Sequence, residues 1–271
     1  MLCCDYKIIT KALADKLKNA LAEIIQPTQT AGITGRTINH NLSLIRDIID
    51  HAKDHNHPTI LIALDQQKAF DMVDRAFLMK TLIAFGFGPK FMNWISTILA
   101  NSISMVTNNG HISNPFPTER SVKQGDPISA YLYCLVAETL AQSIRKDTQI
   151  HGYKLPQPFQ EQSVKTSLYA DDAIILLEFE QNNNNTKIGL ERLKTKLDLY
   201  SKASGSVLNY DKTEIRTFGG TIGQTPIDKD NFALARDFNS NYQNILEKEA
   251  FSIDIGKYWE FNLHHFQKSD I

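Results

Sequence analysis

Cysteine is scarce in this chain: three in 271 residues, Cys3, Cys4 and Cys134. They make neither a disulfide framework nor a zinc-ligand spacing, and they fit a reducing compartment. An excess of positive charge is also lacking. Lys and Arg number 29 against 30 Asp and Glu, for a formal net charge of −1 and a pI near 6.7. A whole-chain basic footprint is thereby excluded, and any contact with nucleic acid has to come from a local patch. No apolar run reaches the roughly 18 residues that a membrane-spanning helix needs, so no membrane partner is expected. The start, "MLCCDYKIITKALADKL", carries an acid and lysines where a secretory signal has an unbroken apolar core. What is present, 42% hydrophobic and 22% charged residues, suits one large globular domain or a domain with an appendage.

From Tyr6 to Ile25 the apolar residues recur at three and four, which predicts an amphipathic helix ended by Pro27. After the glycine-bearing loop "TAGITGRTINHN", "NLSLIRDIIDHAKDHN" resumes that period up to Pro58. "TILIALD" is too short for a helix and reads as a buried strand ending at Asp65. Two helices flanking Gly86 to Pro89 follow, then a hairpin signalled by Asn109-Gly110. A long helix is predicted after Asp126, the expected N-cap, with Pro127 at its first position. "VKTSLYADDAIILLEF" reads as a hairpin with aspartates at its tip, and a helix over about 186–203 is closed by Gly205. Helices interleaved with hairpins, with few βαβ units, indicate an α+β fold in which an antiparallel sheet is covered by helices on one face. The texture changes near 219. The expected organisation is 1–57 as connecting helices, 58–218 as the main body and 219–271 as an appendage.

Adjacent Asp171 and Asp172 interrupt an apolar strand-like run. Two carboxylates about 4 Å apart at an effective dielectric near 20 repel by roughly 4 kcal/mol, before any desolvation cost. A tight turn is one explanation, because Asp tolerates turn geometry. A divalent cation held by hard oxygen ligands is the other. Asp65 is a second acidic strand end, and if its strand neighbours the later hairpin, Asp65 and Asp171 meet. Two ions about 3.5–4 Å apart can then activate an attacking hydroxyl and stabilise a leaving group. Because side chains alternate along a strand, Asp171 and Asp172 are not expected to serve one ion equally, and Asp171 is taken as the stronger ligand. His51 and His55, at i and i+4 with His57 nearby, have a zinc-compatible spacing but no evident fourth ligand; a polar, fraying helix end explains them better.

In order along the chain, "LDQQKAFDMVD", "RSVKQGDPIS", "YADD" and "GSVLNYDKTEI" resemble successive motifs of the reverse transcriptases of non-LTR (LINE-type) retrotransposons. "DYKIITKALADKL" and "TAGITGRTINHN" resemble the segments that precede them, so the resemblance covers about 5–218. It implies a right-hand polymerase palm plus partial fingers within 1–57, and magnesium-dependent synthesis of DNA on an RNA template. RNA template, DNA primer and deoxynucleoside triphosphates would be the partners, and two Mg2+ ions the cofactor. Asp65 and Asp171 would be the principal metal ligands, supported by Asp172. Phe70, five residues after Asp65, would lie beneath the nucleotide sugar and exclude a 2′-hydroxyl by its bulk; without the family it would read as a core aromatic. Gln124 would hydrogen-bond to nucleotide or template, while Gly125 would let backbone approach closely, turn the chain into the following helix, or do both. Lys212 matches a lysine that protonates the leaving pyrophosphate, although a lone lysine is ordinarily a solvated surface residue. Arg36 is assigned to template phosphate.

The family pattern also has an arginine-bearing fingers segment ahead of "DYKIITKALA" and a primer-gripping hairpin and thumb after Phe218, so the chain reads as truncated at both ends. Smaller departures are Ser121 where glycine is common, Asp126 where cysteine is common and Ala130 where proline is common. The leading reading is an RNA-directed DNA polymerase domain. The alternative is a catalytically silent retrotransposon remnant that at most binds nucleic acid. A two-metal phosphohydrolase would need further ligands near Asp65, and Lys68 and Phe70 offer none. The resemblance suggests an intracellular, nuclear setting, though no compact basic import cluster is present.

Overall fold

The computed structural model describes residues 2–159, 161–179, 184–209 and 211–219. The helices are α1 (Cys4–Ile24), α2 (Ile38–Asp54), α3 (Ala69–Met72), α4 (Arg75–Ala84), α5 (Pro89–Leu99), α6 (Ser129–Arg145) and α7 (Asn184–Ser204). The first strands are β1 (Thr59–Leu64), β2 (Gln66–Gln67), β3 (Ile103–Ser104), β4 (Thr107–Asn108), β5 (His111–Ile112) and β6 (Phe116–Pro117). They are followed by β7 (Tyr153–Lys154), β8 (Ser163–Val164), β9 (Thr166–Tyr169), β10 (Asp172–Glu178), β11 (Val207–Leu208) and β12 (Glu214–Phe218).

The main sheet runs β12-β1-β10-β9, with every neighbouring pair antiparallel. Its central strand, "TILIAL", is almost wholly buried because both of its faces are covered. Ile60, Ile62 and Leu64 face the larger core together with Ala173, Ile175 and Leu177 of β10. Leu61 and Leu176, of opposite parity, face a smaller core made by Leu44, Ile45 and Ile48 of α2 and by Tyr153 of β7. The main layer of helices thus lies on one face, as expected, and α2 with the β7-β8 hairpin occupies the other. Each of these buried Leu and Ile side chains contributes about 1.5–3 kcal/mol by leaving water.

The spine of the larger core is α6, apolar on nearly every side from Leu132 to Ile144, which marks a helix enclosed by its neighbours. Leu13, Leu17 and Leu21 of α1 pack into the same core, so residues before 58 share their hydrophobic interior with the sheet. Buried Glu138 pairs with Arg145 on α6. Just beyond α6, Asp147 receives Nε and Nη2 of Arg192 at 3.0 and 2.7 Å, tying α7 to the end of α6.

Helix α6 begins two residues later than the sequence predicts. Asp126 spends its carbonyl on the Ser129 N–H at 3.1 Å and its Oδ1 on the Ile128 N–H at 3.3 Å, forming a turn ahead of the helix. Its Oδ2 accepts from the Tyr6 hydroxyl at 2.9 Å, a use for an aspartate that a cysteine would not fill. The Asn109-Gly110 hairpin is present, with φ of +48° and +79° at the two turn residues. It extends the β3-β6 pair into an arm whose side chains are almost all solvent-exposed. The appendage beyond Gly219 lies outside the described residues. Among the described residues no helix is long and apolar enough to cross a membrane.

Candidate active site

The acidic strand ends do come together. In the β9-β10 hairpin Asp172 pairs with Tyr169, which leaves Ala170 and Asp171 as a two-residue loop. Ala170 takes φ of +54°, a left-handed conformation that costs a residue with a Cβ about 1–2 kcal/mol. Pairing of β1 with β10 runs to Leu64↔Ala173, so the next positions, Asp65 and Asp172, face one another across strands about 4.8 Å apart. The cross-strand neighbour of Asp65 is therefore Asp172, and Asp171 stands one residue further along, at the loop. The sequence predicts that Asp65 and Asp171 meet if their strands are neighbours; the strands are neighbours, and Asp172 is the residue in register with Asp65.

Asp65 and Asp171 are half-buried, and Asp172 is the most exposed of the three. The Asp172 carboxyl is pushed up from the ordinary aspartate range, by loss of hydration first and then by the charges of Asp171 and Asp65. Among the described residues no lysine, arginine or histidine forms an ion pair with these carboxylates. Nor are three or more His, Cys, Asp or Glu side chains, among those residues, grouped so that they could hold a metal ion. A narrow cleft lined by Ile38, Asn41, Ile45, Tyr169, Asp172 and Ile174 opens beside the hairpin.

Lys212 is exposed in the turn between β11 and β12. That turn is fastened to Asp65 at both ends: the Asn209 N–H bonds to the Asp65 carbonyl at 2.9 Å, and the Asp65 N–H to Thr213 Oγ1 at 3.4 Å. Phe70, on α3, is half-buried and stacks on Tyr133 of α6 with ring centroids 4.7 Å apart and planes 17° apart. Gln124 is exposed, and its Nε2 reaches Asp71 Oδ2 at 3.3 Å. Gly125 has φ of +79° with no heavy atom within 4 Å of where a Cβ would stand. Its glycine is thus required by backbone conformation, and the space beside it is open. Ser121 has φ of +90°, a conformation that glycine takes freely and that this serine holds under strain.

A family model described as "Reverse transcriptase (RNA-dependent DNA polymerase)" matches residues 1–252. The chain belongs to the reverse transcriptase family. It is 36% identical over 213 residues to the Transposon TX1 uncharacterized 149 kDa protein of Xenopus laevis, covering 79% of this chain and 15% of that protein. It is 27% identical over 172 residues to the Retrovirus-related Pol polyprotein from type-2 retrotransposable element R2DM of Drosophila melanogaster, covering 64% and 15%. The chain therefore spans about 15% of the length of these curated relatives. Among solved structures it resembles telomerase from Candida tropicalis in complex with a TWJ fragment of telomeric RNA. That match has a TM-score of 0.54 and 16% identity, over 96% of this chain and 40% of that one. The apo telomerase truncated from the C-terminal domain gives 0.52 and 13%, over 80% and 41%. At such identities the likeness concerns the fold, and that fold is the right-hand polymerase.

One candidate residue of this reverse transcriptase domain is engaged elsewhere. Arg36 donates from Nη1 to the carbonyls of Gln26 and Gln29 at 2.6 and 2.9 Å, and from Nη2 to those of Ala22 and Ile25 at 3.3 and 3.0 Å. These donors are occupied by main-chain carbonyls at and just beyond the end of α1. Sequence reasoning missed two supporting residues, Gln29 in the neighbouring loop and Asn41 in the first turn of α2. Fully buried Gln29 accepts the Ala31 and Ala170 N–H groups on its Oε1 at 3.0 and 3.2 Å, bracing the aspartate hairpin. Asn41 donates to Ser167 Oγ at 2.8 Å and to the Leu168 carbonyl at 3.0 Å, fixing β9 to α2. Both lie within or beside the quoted "TAGITGRTINHN", but a polar residue that bonds to backbone leaves no periodic signal.

Proposed function

We propose that this reverse transcriptase domain performs RNA-templated nucleotidyl transfer at the end of β1 and the β9-β10 hairpin, with Asp65, Asp171 and Asp172 as the acidic centre. The observation that carries the reading is the register that sets Asp65 opposite Asp172, with Asp171 in the adjoining loop and no cation from the described residues to neutralise them. Oxygen donors, an unneutralised cluster of negative charge and a carboxyl raised first by burial and then by its acidic neighbours fit a hard divalent ion such as magnesium. Magnesium sites that serve nucleotides ordinarily take only one or two protein carboxylates, water and substrate phosphate supplying the remaining positions. When bound, two magnesium ions would lower the barrier to attack by the primer 3′-hydroxyl and stabilise the pyrophosphate that leaves.

The chain's own residues then take distinct roles. Asp65 and Asp171 would hold the ions, with Asp172 supporting them. Phe70 presents a ring under the sugar, so a 2′-hydroxyl meets carbon where a deoxyribose finds room. Gln124 faces the nucleotide or template, beside the open backbone of Gly125. Lys212 donates a proton to the departing pyrophosphate from the turn tied to Asp65. RNA template, DNA primer and deoxynucleoside triphosphates are the proposed partners. Residues 58–218 act as the palm and 1–57 as part of the fingers, a division of roles and not of hydrophobic cores.

The test is primer extension on an RNA template with deoxynucleotides and magnesium, comparing the purified chain with Asp171→Ala. Extension by the native chain and a loss of at least about 10³-fold in the variant is the expected result, since positioned charge at the reacting centre supplies a rate factor of that order. Equal extension by both would remove Asp171 from the chemistry. Extension by neither would overturn the catalytic reading and leave nucleic-acid binding.

A further inference from the structure

Phe70 does not stand alone. Its ring lies on Tyr133, centroids 4.7 Å apart and planes 17° apart, and Tyr133 is 1% exposed, so the second ring forms a floor that nucleotide does not reach. That floor is itself held. The Tyr133 hydroxyl donates to Gln66 Oε1 at 3.1 Å, and the same oxygen accepts from Ser206 Oγ at 2.7 Å. Gln66 follows Asp65 directly and is fixed in the β2-β11 pair through Leu208↔Gln66. The backbone of Phe70 is fixed on its other side, its carbonyl accepting the Val122 N–H at 3.0 Å from the loop that leads to Gln124. One chain of contacts thus runs from the acidic strand end, through Gln66 and Tyr133, to the ring of Phe70.

We propose that Tyr133 is a positioning residue for sugar discrimination: it sets the height and plane of the Phe70 ring, and through them the exclusion of a 2′-hydroxyl. This rests on the reading of Phe70 as the residue beneath the sugar. The physical reason is packing. A ring excludes an oxygen atom only if it cannot retreat, and the close-packed stack on Tyr133 leaves Phe70 nowhere to sink. With the Tyr133 ring removed, Phe70 has a cavity to enter, and space opens for the hydroxyl. Deoxynucleotides, which never met the obstacle, gain little from that movement.

The experiment measures kcat/KM for one deoxynucleotide and its ribonucleotide counterpart, in primer extension on an RNA template by the full chain. Native protein, Tyr133→Leu, Phe70→Ala and the double variant are compared. Tyr133→Leu is expected to lower the deoxy-to-ribo ratio about tenfold, the low end of what one misfitting group is worth in a pocket. In the Phe70→Ala background the same change is expected to leave the ratio within about twofold, because Tyr133 acts through Phe70. A merely structural role would lower both kcat/KM values together and leave their ratio unmoved. Should Tyr133→Leu fail to fold, Tyr133→Met refills the site with a flexible chain that does not hold a ring flat, and carries the same expectation.

A native ratio kept in the Tyr133 variants, while Phe70→Ala collapses it, would overturn the inference and leave the sugar-gate reading standing. A native ratio kept in Phe70→Ala would overturn that reading and the inference with it. Absence of extension by the native chain would remove the catalytic basis of both.

Discussion

At the scale of single residues, buried charge leaves a measurable signature away from the proposed chemistry. Asp47 lies on α2, and its Oδ2 is buried without a hydrogen-bond partner. Burial pushes its carboxyl up to about 6, helped by Asp50 and opposed by Arg46. The folded state then holds a proton that the unfolded chain has already released, so stability falls as pH rises from the ordinary aspartate value near 4 through about 6. Asp47→Asn should therefore raise stability at pH 7.5 by about 1 kcal/mol, a figure reduced for the solvent screening of a half-buried side chain. The gain should vanish below about pH 4, where both states of the native carboxyl are protonated. Urea denaturation of the two proteins at several pH values reads this directly, and a gain that persists into acid would mean that packing, not charge, is responsible. Asp172 obeys the same physics with a different outcome, because its raised carboxyl comes partly from acidic neighbours that one ion would neutralise together.

At the scale of elements, the sequence was most informative where one local rule acts alone. The Asn109-Gly110 hairpin and the Gly205 stop after α7 each follow from turn or cap chemistry written in adjacent residues, whereas Ala170 takes a left-handed conformation that its residue type does not favour. It was less informative where a side chain finds its partner far along the chain. The turn that delays α6 is made by Asp126 itself, but the bond from Tyr6 that holds this aspartate comes from 120 positions away, and no local pattern encodes it. Strand parity does not rank Asp171 against Asp172, because Asp171 stands in the two-residue loop, and the register that makes Asp172 the neighbour of Asp65 is fixed by pairing along the whole of β1. Arg36 is the plainest case. An arginine in a glycine-bearing loop invites a phosphate, whereas the structure gives four carbonyls near the end of α1 to its guanidinium. The two roles separate in experiment. Arg36→Ala should cost about 2 kcal/mol in chemical denaturation at constant m-value, in line with lost bonds to a charged donor. The slope of log K against log salt for RNA binding should stay the same. A slope reduced by about 0.7, the release of one counterion from a single strand, would return Arg36 to the template.

Across the whole molecule, near-zero net charge and a sheet covered on both faces set where the domain is firm and where it is free to meet a partner. β1 is hydrogen-bonded to β12 on one side and β10 on the other, and its side chains feed both hydrophobic cores. Opening β1 would expose all of these at once, so its amides can exchange only in near-global unfolding. The proposed chemistry is built on the end of this strand, and Asp65 inherits its rigidity, as a site requiring fixed carboxylates demands. The 102–118 arm is the opposite case: Ile103, Met105, Val106 and Ile112 are all more than half exposed, and its paired strands are only two residues long. Local opening there exposes little that is not already in water. In native-state hydrogen exchange, amides of Ile60 to Ala63 should therefore exchange at least about a hundredfold more slowly than the paired amides of the arm. Comparable rates would mean that the two cores open independently around β1, and that the acidic centre stands on a support far softer than its double burial implies.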